Sequence, residues 1–217
     1  MAPTTRSDRR QLLTQVRDGL AAALLEPLDE VGFRFRRRDA VFRRERDGVE
    51  LALFLGISSR PASLGGVGIL VEPAMVVAVP TWEEEAERLL AVASGPLLAW
   101  EHPSQPVIWE ALDWHVPGKR PHWTLPDEPT PSDIAQLGRL LRESLIATGL
   151  PFLERVSTRE RLLDIAASGE MLVMHEARLA IACGAMLVGR PDLAQTIIAP
   201  FGTARRESVA RVLGFTA

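Results

Sequence analysis

The run Gly32-Phe33-Arg34-Phe35-Arg36-Arg37-Arg38-Asp39-Ala40-Val41-Phe42-Arg43-Arg44-Glu45-Arg46-Asp47-Gly48 constrains the fold more than any other part of the chain. It follows a long amphipathic stretch and leads into Val49-Glu50-Leu51-Ala52-Leu53-Phe54-Leu55, where apolar residues alternate. That order reads as a helix, its cap, and then an arginine-studded β-hairpin. The run carries no nucleophile, no metal-ligand set and no phosphate loop, so it speaks to architecture rather than chemistry.

The helix ahead of it starts near Ser7, a good N-cap. Leu12, Val16, Leu20, Leu24, Leu28 and Val31 recur at helical spacing and predict one buried stripe. Pro27 lacks a backbone donor and should kink or restart the last turn. Gly32 stands where a left-handed residue is wanted after a helix, and Phe33 can fold back on the stripe. Asp47-Gly48 is a hairpin turn signal. A two-residue turn sets Glu45 opposite Glu50, a like-charge pair. A three-residue loop sets Arg44 opposite Glu50 instead, and that pairing favours the longer loop. In either register Val49, Leu51, Leu53, Leu55 and Ile57 share the core face. Arg34, Arg36 and Arg38 share another face, opposite Phe33, Phe35 and Arg37, if their segment is extended.

Further strands are expected near residues 67–71 and 75–79, after a turn at 61–66, which makes an antiparallel meander the natural assembly. Thr81 should cap a second helix whose acids Glu83, Glu84 and Glu85 suit a positive N-terminal end, with Gly95-Pro96 stopping it. Short strands and turns follow, holding Trp100, Trp109, Trp114 and Trp123 with His102, His115 and His122 among prolines. From about Pro131 the chain reads as helical. Thr130-Pro131-Ser132-Asp133 is a start signal, Gly149 a stop, and Ser157-Thr158-Arg159-Glu160 fits a capping box. Helices over 171–188 and 192–199 flank Gly189-Arg190-Pro191 as a helical hairpin, and Thr203 opens a last helix ending at Gly214.

Composition narrows the function classes. A chain of 217 residues with 47% hydrophobic content can bury a substantial core, as one unit or two closely packed lobes. A net charge of −3 and a mean hydropathy of +0.06 fit neither an acidic disordered chain nor a globally basic nucleic-acid binder. The single cysteine, Cys183, excludes an internal disulfide framework and suits a reducing cytoplasm. The N-terminal residues lack the apolar core of a secretory signal, and no apolar run reaches the ~18–20 residues that span a bilayer. Arginine outnumbers lysine 24 to 1, a bias so uniform that it points to genome composition rather than anion binding.

With these residues in view, the chain resembles a bacterial family catalogued as domain of unknown function 4304. The resemblance rests on the helix followed by Gly32-Phe33 and Arg38-Asp39-Ala40-Val41-Phe42-Arg43, and on Asp113-Trp114 with His122-Trp123-Thr124-Leu125. It rests further on Gly149-Leu150-Pro151-Phe152-Leu153 and on a tail carrying Gly184, Gly189 and Ala194. It spans about residues 8–200, although the family's asparagine-bearing strand is not evident over 66–71. The resemblance implies the fold and supplies no catalytic residues.

Two segments are candidate sites. Residues 33–46 hold seven arginines against Asp39 and Glu45, a local excess of +5, and three guanidinium groups on one strand face could grip carboxylates or phosphates. The bland alternative is a solvated edge strand whose charge deters aggregation. Residues 81–133, with ten acids against three bases, offer those charges a partner within the chain. In the second segment His102, His115 and His122 could meet beside Glu101 or Asp113, but spacings of thirteen and seven residues match no zinc pattern. Its tryptophans fit core plugs better than a ligand cage; as a groove they would suit apolar or cationic ligands. His175-Glu176 lacks the second histidine of a zincin helix, Gly65-Gly66 lacks the lysine of a phosphate loop, and Cys183 reads as a small core hydrophobe.

The expectation is therefore an α+β fold: an antiparallel meander packed against N-terminal helices over 7–126, with a C-terminal helical lobe over 127–217. The function expected is that of a non-enzymatic interaction module of the bacterial cytoplasm, without cofactor or metal. Its candidate binding residues are Arg34, Arg36, Arg38, Trp109, Trp114, His115, His122 and Trp123. An acidic protein partner suits it better than nucleic acid, and no membrane contact is expected. The rival reading is a small-molecule protein or enzyme using the Trp/His groove, with His115 or His122 as acid/base.

Overall fold

The structure, a computed structural model, describes residues 6–59, 68–92, 106–117, 123–169 and 177–215. The expected turn at 61–66, the Gly95-Pro96 stop, and the residues Trp100, Glu101, His102, His122 and His175-Glu176 lie outside them.

Helix α1 (Arg6–Glu30) buries Val16, Leu20, Leu24 and Leu28 completely, as the spacing predicts. Leu12 is half-buried, and Val31, just past the helix end, is exposed. Ser7 lies inside α1 rather than capping it, and the helix runs through Pro27 without restarting. At its end Gly32 adopts φ +85°. The Gly32 N–H donates to the Asp29 carbonyl and the Phe33 N–H to the Leu28 carbonyl, both at 2.9 Å. That bond pair is a Schellman cap, and Phe33 is buried against the core.

Six strands form an antiparallel sheet: β1 (Arg34–Arg36), β2 (Val41–Arg46), β3 (Val49–Ser59), β4 (Ile69–Ala78), β5 (Ile108–Ala111) and β6 (Thr124–Leu125). The order is β1-β2-β3-β4-β5, with β6 also paired to β4. The arginine run is not one extended strand. It reverses between Arg36 and Val41, where the Asp39 N–H bonds the Arg36 carbonyl at 3.3 Å and Ala40 takes φ +55°. Phe35 thereby faces Phe42 across the pair, with ring centroids 4.6 Å apart. Arg38 falls in the turn, off the strand that carries Arg34 and Arg36.

The second hairpin also departs from expectation. Only Asp47 and Gly48 separate β2 from β3, and their φ values of +52° and +70° define a two-residue type I′ turn. The Leu55 N–H bonds the Ala40 carbonyl at 3.2 Å, which carries the same register to the far end of the hairpin. Glu45 thus stands opposite Glu50. The turn's match to strand twist outweighs a like-charge pair of only about 0.2–1 kcal/mol. The two strands expected over 67–71 and 75–79 are one strand, β4, with Pro73 inside it.

The chain forms two compact units, each drawn from separate stretches. The first comprises Met1–Arg44, Ala52–Met75 and Glu110–Phe152, and in it α1 packs on α3 (Pro131–Ser144). Thr130 and Asp133 close a full capping box at the start of α3. Gly149 does not stop the helical run. It sits in a π-turn (Leu145–Gly149) that leads into α4 (Leu150–Arg155), where the Leu150 N–H reaches back to the Leu145 carbonyl. The wider turn absorbs Pro151, which cannot donate to the turn before it. A Cβ on Gly149 would lie 2.7 Å from Leu112 Cδ1, so packing explains this glycine.

The second unit comprises Glu45–Leu51, Val76–Trp109 and Leu153–Ala217. Helix α2 (Pro80–Val92) packs on α6 (Arg178–Leu187), and α6 on α7 (Pro191–Ile198), with α5 (Arg159–Ser168) against both α6 and α7 and α8 (Thr203–Val212) against α7. Helix α2 starts at Pro80, so Thr81 lies inside it rather than capping it, and the Glu83 carboxylate accepts the Val79 N–H at 3.3 Å. Helix α5 is capped by Thr158, whose hydroxyl accepts the Arg161 N–H. Ser157 instead donates to the Glu154 carbonyl at 2.8 Å, so the expected capping box does not form. Among the described residues no helix is long and apolar enough to cross a membrane.

Candidate functional site

The strand order makes β1 an edge of the sheet, and Arg34, Arg36, Arg37 and Arg38 are all exposed on it or on the turn after it. Acids of α1 reach half of them. Arg34 pairs with Asp29, and Arg37 with Asp18 at 2.6 Å. The Arg37 bond holds the Asp18 carboxyl below the usual carboxylate range, against the opposing effect of partial burial. Arg44 is structural: it donates to the Val31 carbonyl at 3.0 Å and lies 5.3 Å from the centroid of the Phe33 ring. The side chains of Arg36 and Arg38 have no ion pair or hydrogen bond among the described residues. Two of the three arginines singled out from the sequence thus remain as open cations, Arg36 at the end of β1 and Arg38 in the turn that follows it.

The tryptophans divide. Trp123, 5% exposed, plugs the interior, and its carbonyl accepts the Val71 N–H at 2.9 Å, which fastens it to β4. Trp114 is 54% exposed on the 3-10 turn Leu112–His115, and Trp109 is 48% exposed on β5. Trp114 and Trp123 share a cavity of about 320 Å³ with Glu72, Pro73 and Asp113. His115 is taken up elsewhere: its Nε2 lies 2.5 Å from Glu110 Oε2, and its ring centroid 4.2 Å from that of Phe152. Glu110 points inward from β5 and is 8% exposed, so the imidazole satisfies a buried carboxylate.

The sheet keeps the two candidate segments apart. β1 lies three strands from β4, and Trp123 joins β4 from the opposite side, so the arginine edge and the Trp114–Trp123 cavity are separate surfaces. Among the described residues no three His, Cys, Asp or Glu side chains gather as a metal site. Cys183 is buried in α6, and burial pushes its thiol up to about 12, far from a reactive thiolate.

Glu72, Glu110, Asp18 and Asp29 were not among the sequence candidates. Asp29, one turn before the Gly32 cap, could have been paired with Arg34 from chain proximity. Glu110 and Glu72 carry no local signal, because the sheet chooses their neighbours.

No family model, curated protein or solved structure matches the chain significantly.

Proposed function

We propose that this protein is a non-enzymatic binding module that docks an acidic surface of a protein partner on the basic edge formed by β1 and the turn after it. One observation carries the reading: Arg36 and Arg38 stand exposed beside an edge strand with no acid paired to them among the described residues, while Arg34 and Arg37 are already neutralised by α1. A partner carboxylate would gain the bidentate geometry that arginine offers. The net charge of −3 supports a protein surface over nucleic acid, whose binding draws on a broad positive field. A single, buried cysteine supports a reducing compartment such as a bacterial cytoplasm. The Gly32-Phe33 cap ahead of a basic strand supports kinship with the domain of unknown function 4304 as part of the same proposal.

Affinity capture on the tagged protein tests it, with wild type beside an Arg36→Ala/Arg38→Ala double variant and every retained macromolecule identified. A protein with an acidic patch, held by wild type and released by the folded double variant, is the expected result. Equal retention by both, or retention of nucleic acid alone, overturns the reading.

A further inference from the structure

The cavity between Trp114 and Trp123 has a composition that selects its ligand. Among the described residues it is lined by Trp114, Trp123, Pro73, Leu70 and the acids Glu72 and Asp113, with no cationic residue. Neither Glu72 nor Asp113 has a side-chain hydrogen bond or ion pair among the described residues. Pro73 has no N–H, so that position of β4 offers no backbone donor to an anion. The cavity is built by three chain segments held by backbone bonds. β4 supplies one wall, the turn after β5 carries Asp113 and Trp114, and the Val71–Trp123 bond holds the other indole in place.

We infer that this cavity binds a small organic cation of the alkylammonium class. An indole face attracts a cation through its quadrupole, most strongly for quaternary ammonium groups that water solvates poorly. Here Trp123 is buried and Trp114 half-exposed, and both line the cavity, so a cation entering would have two indoles within its walls. The two carboxylates supply the counter-charge that an apolar groove would lack. A volume of about 320 Å³ accommodates a choline-sized group and lies at the small end of ligand pockets. The site is the small-ligand alternative to the arginine edge, requires no catalysis, and stands whether or not that edge binds a protein.

Isothermal titration of the full chain decides it, with choline and tetramethylammonium as probes and 3,3-dimethylbutan-1-ol as the neutral isostere of choline. Both cations should bind, and the alcohol about tenfold or more weakly. Trp114→Ala should weaken choline about tenfold, Trp114→Phe less, and Asp113→Asn should weaken it while flattening its salt dependence. Trp109→Ala, outside the cavity, should change nothing. Trp114 is half-exposed, so its replacement leaves no core void; a thermal melt confirms folding, and Asp113→Asn decides alone if it does not fold. Heats of dilution only from both cations, equal affinity for the alcohol, or wild-type binding by Asp113→Asn and Trp114→Ala would each overturn the inference.

Discussion

The indole of Trp82 lies directly on Gly184: a Cβ added there would stand 2.3 Å from Trp82 Cε2 and 2.4 Å from Cδ2. Trp82 sits in the first turn of α2 and is 1% exposed, and Gly184 lies mid-way along the buried helix α6. No other residue type lets these two helices approach so closely. In an exposed helix Gly→Ala gains about 0.5–1 kcal/mol; here the order reverses. Gly184→Ala should cost about 1–3 kcal/mol in urea unfolding, as an overpacked core does. Trp82→Phe should cost stability alone yet recover part of the loss in the double variant. A stabilised Gly184→Ala protein would refute the close packing of α2 on α6.

The type I′ turn makes a second prediction. Gly48 holds φ +70°, so Gly48→Ala should destabilise by about 1–2 kcal/mol, the cost of a left-handed residue bearing a Cβ. Arg159 lies against the same position, but its guanidinium end can swing aside. Asp47→Asn keeps the turn chemistry and should be near neutral. Chemical denaturation of the pair checks this; equal costs at both positions would contradict the I′ assignment.

Glu83 gives the fold a pH dependence. Burial raises its pKa, the Val79 N–H bond opposes the rise, and the charges of Glu50, Glu87 and Glu84 add to it. With the folded value above the unfolded one, the native state holds more protons through the window above the usual glutamate range. The contribution is present below that range and lost as pH rises through the folded pKa. Glu83→Gln should therefore match wild type at low pH and exceed it near neutrality, still accepting from Val79. Melting curves across pH 4–8 would show the two lines diverge; parallel lines would place Glu83 in ordinary solvent.

Cys183 should be inert in the native protein. Its thiol, pushed up to about 12 chiefly by burial, has almost no thiolate at pH 8. Iodoacetamide should leave the native mass unchanged and add one label in urea. Rapid native labelling would mean that α6 opens far more readily than its packing implies.

Much of the fold was legible in the residues because the deciding interactions are short in sequence. The Gly32 cap joins Phe33 to Leu28, the Thr130 cap joins residues three apart, and the α1 stripe repeats within one helix. The turn at Asp47-Gly48 was legible in place but not in length. The backbone twist that selects a I′ turn outweighs the weak cross-strand charge pair that favours a longer loop.

The candidate sites were legible as segments and not as constellations. Arginine content located a basic edge, but only the reversal at Ala40 separated Arg38 from Arg34 and Arg36, and only packing on α1 gave Arg37 to Asp18. A cluster of tryptophans and histidines was visible along the chain. The sheet then buried Trp123, exposed Trp114, and gave His115 to Glu110 rather than to another histidine. By itself the sequence determined the α+β class, the N-terminal helix, the position of the hairpin turn and the helical C-terminal part, through periodicity and caps that act within a few residues. Tertiary structure alone decided which arginines stay open, which tryptophans line a cavity, and why Gly149 and Gly184 are glycines. Those outcomes depend on side chains brought together from distant strands and helices, and no local pattern records such neighbours.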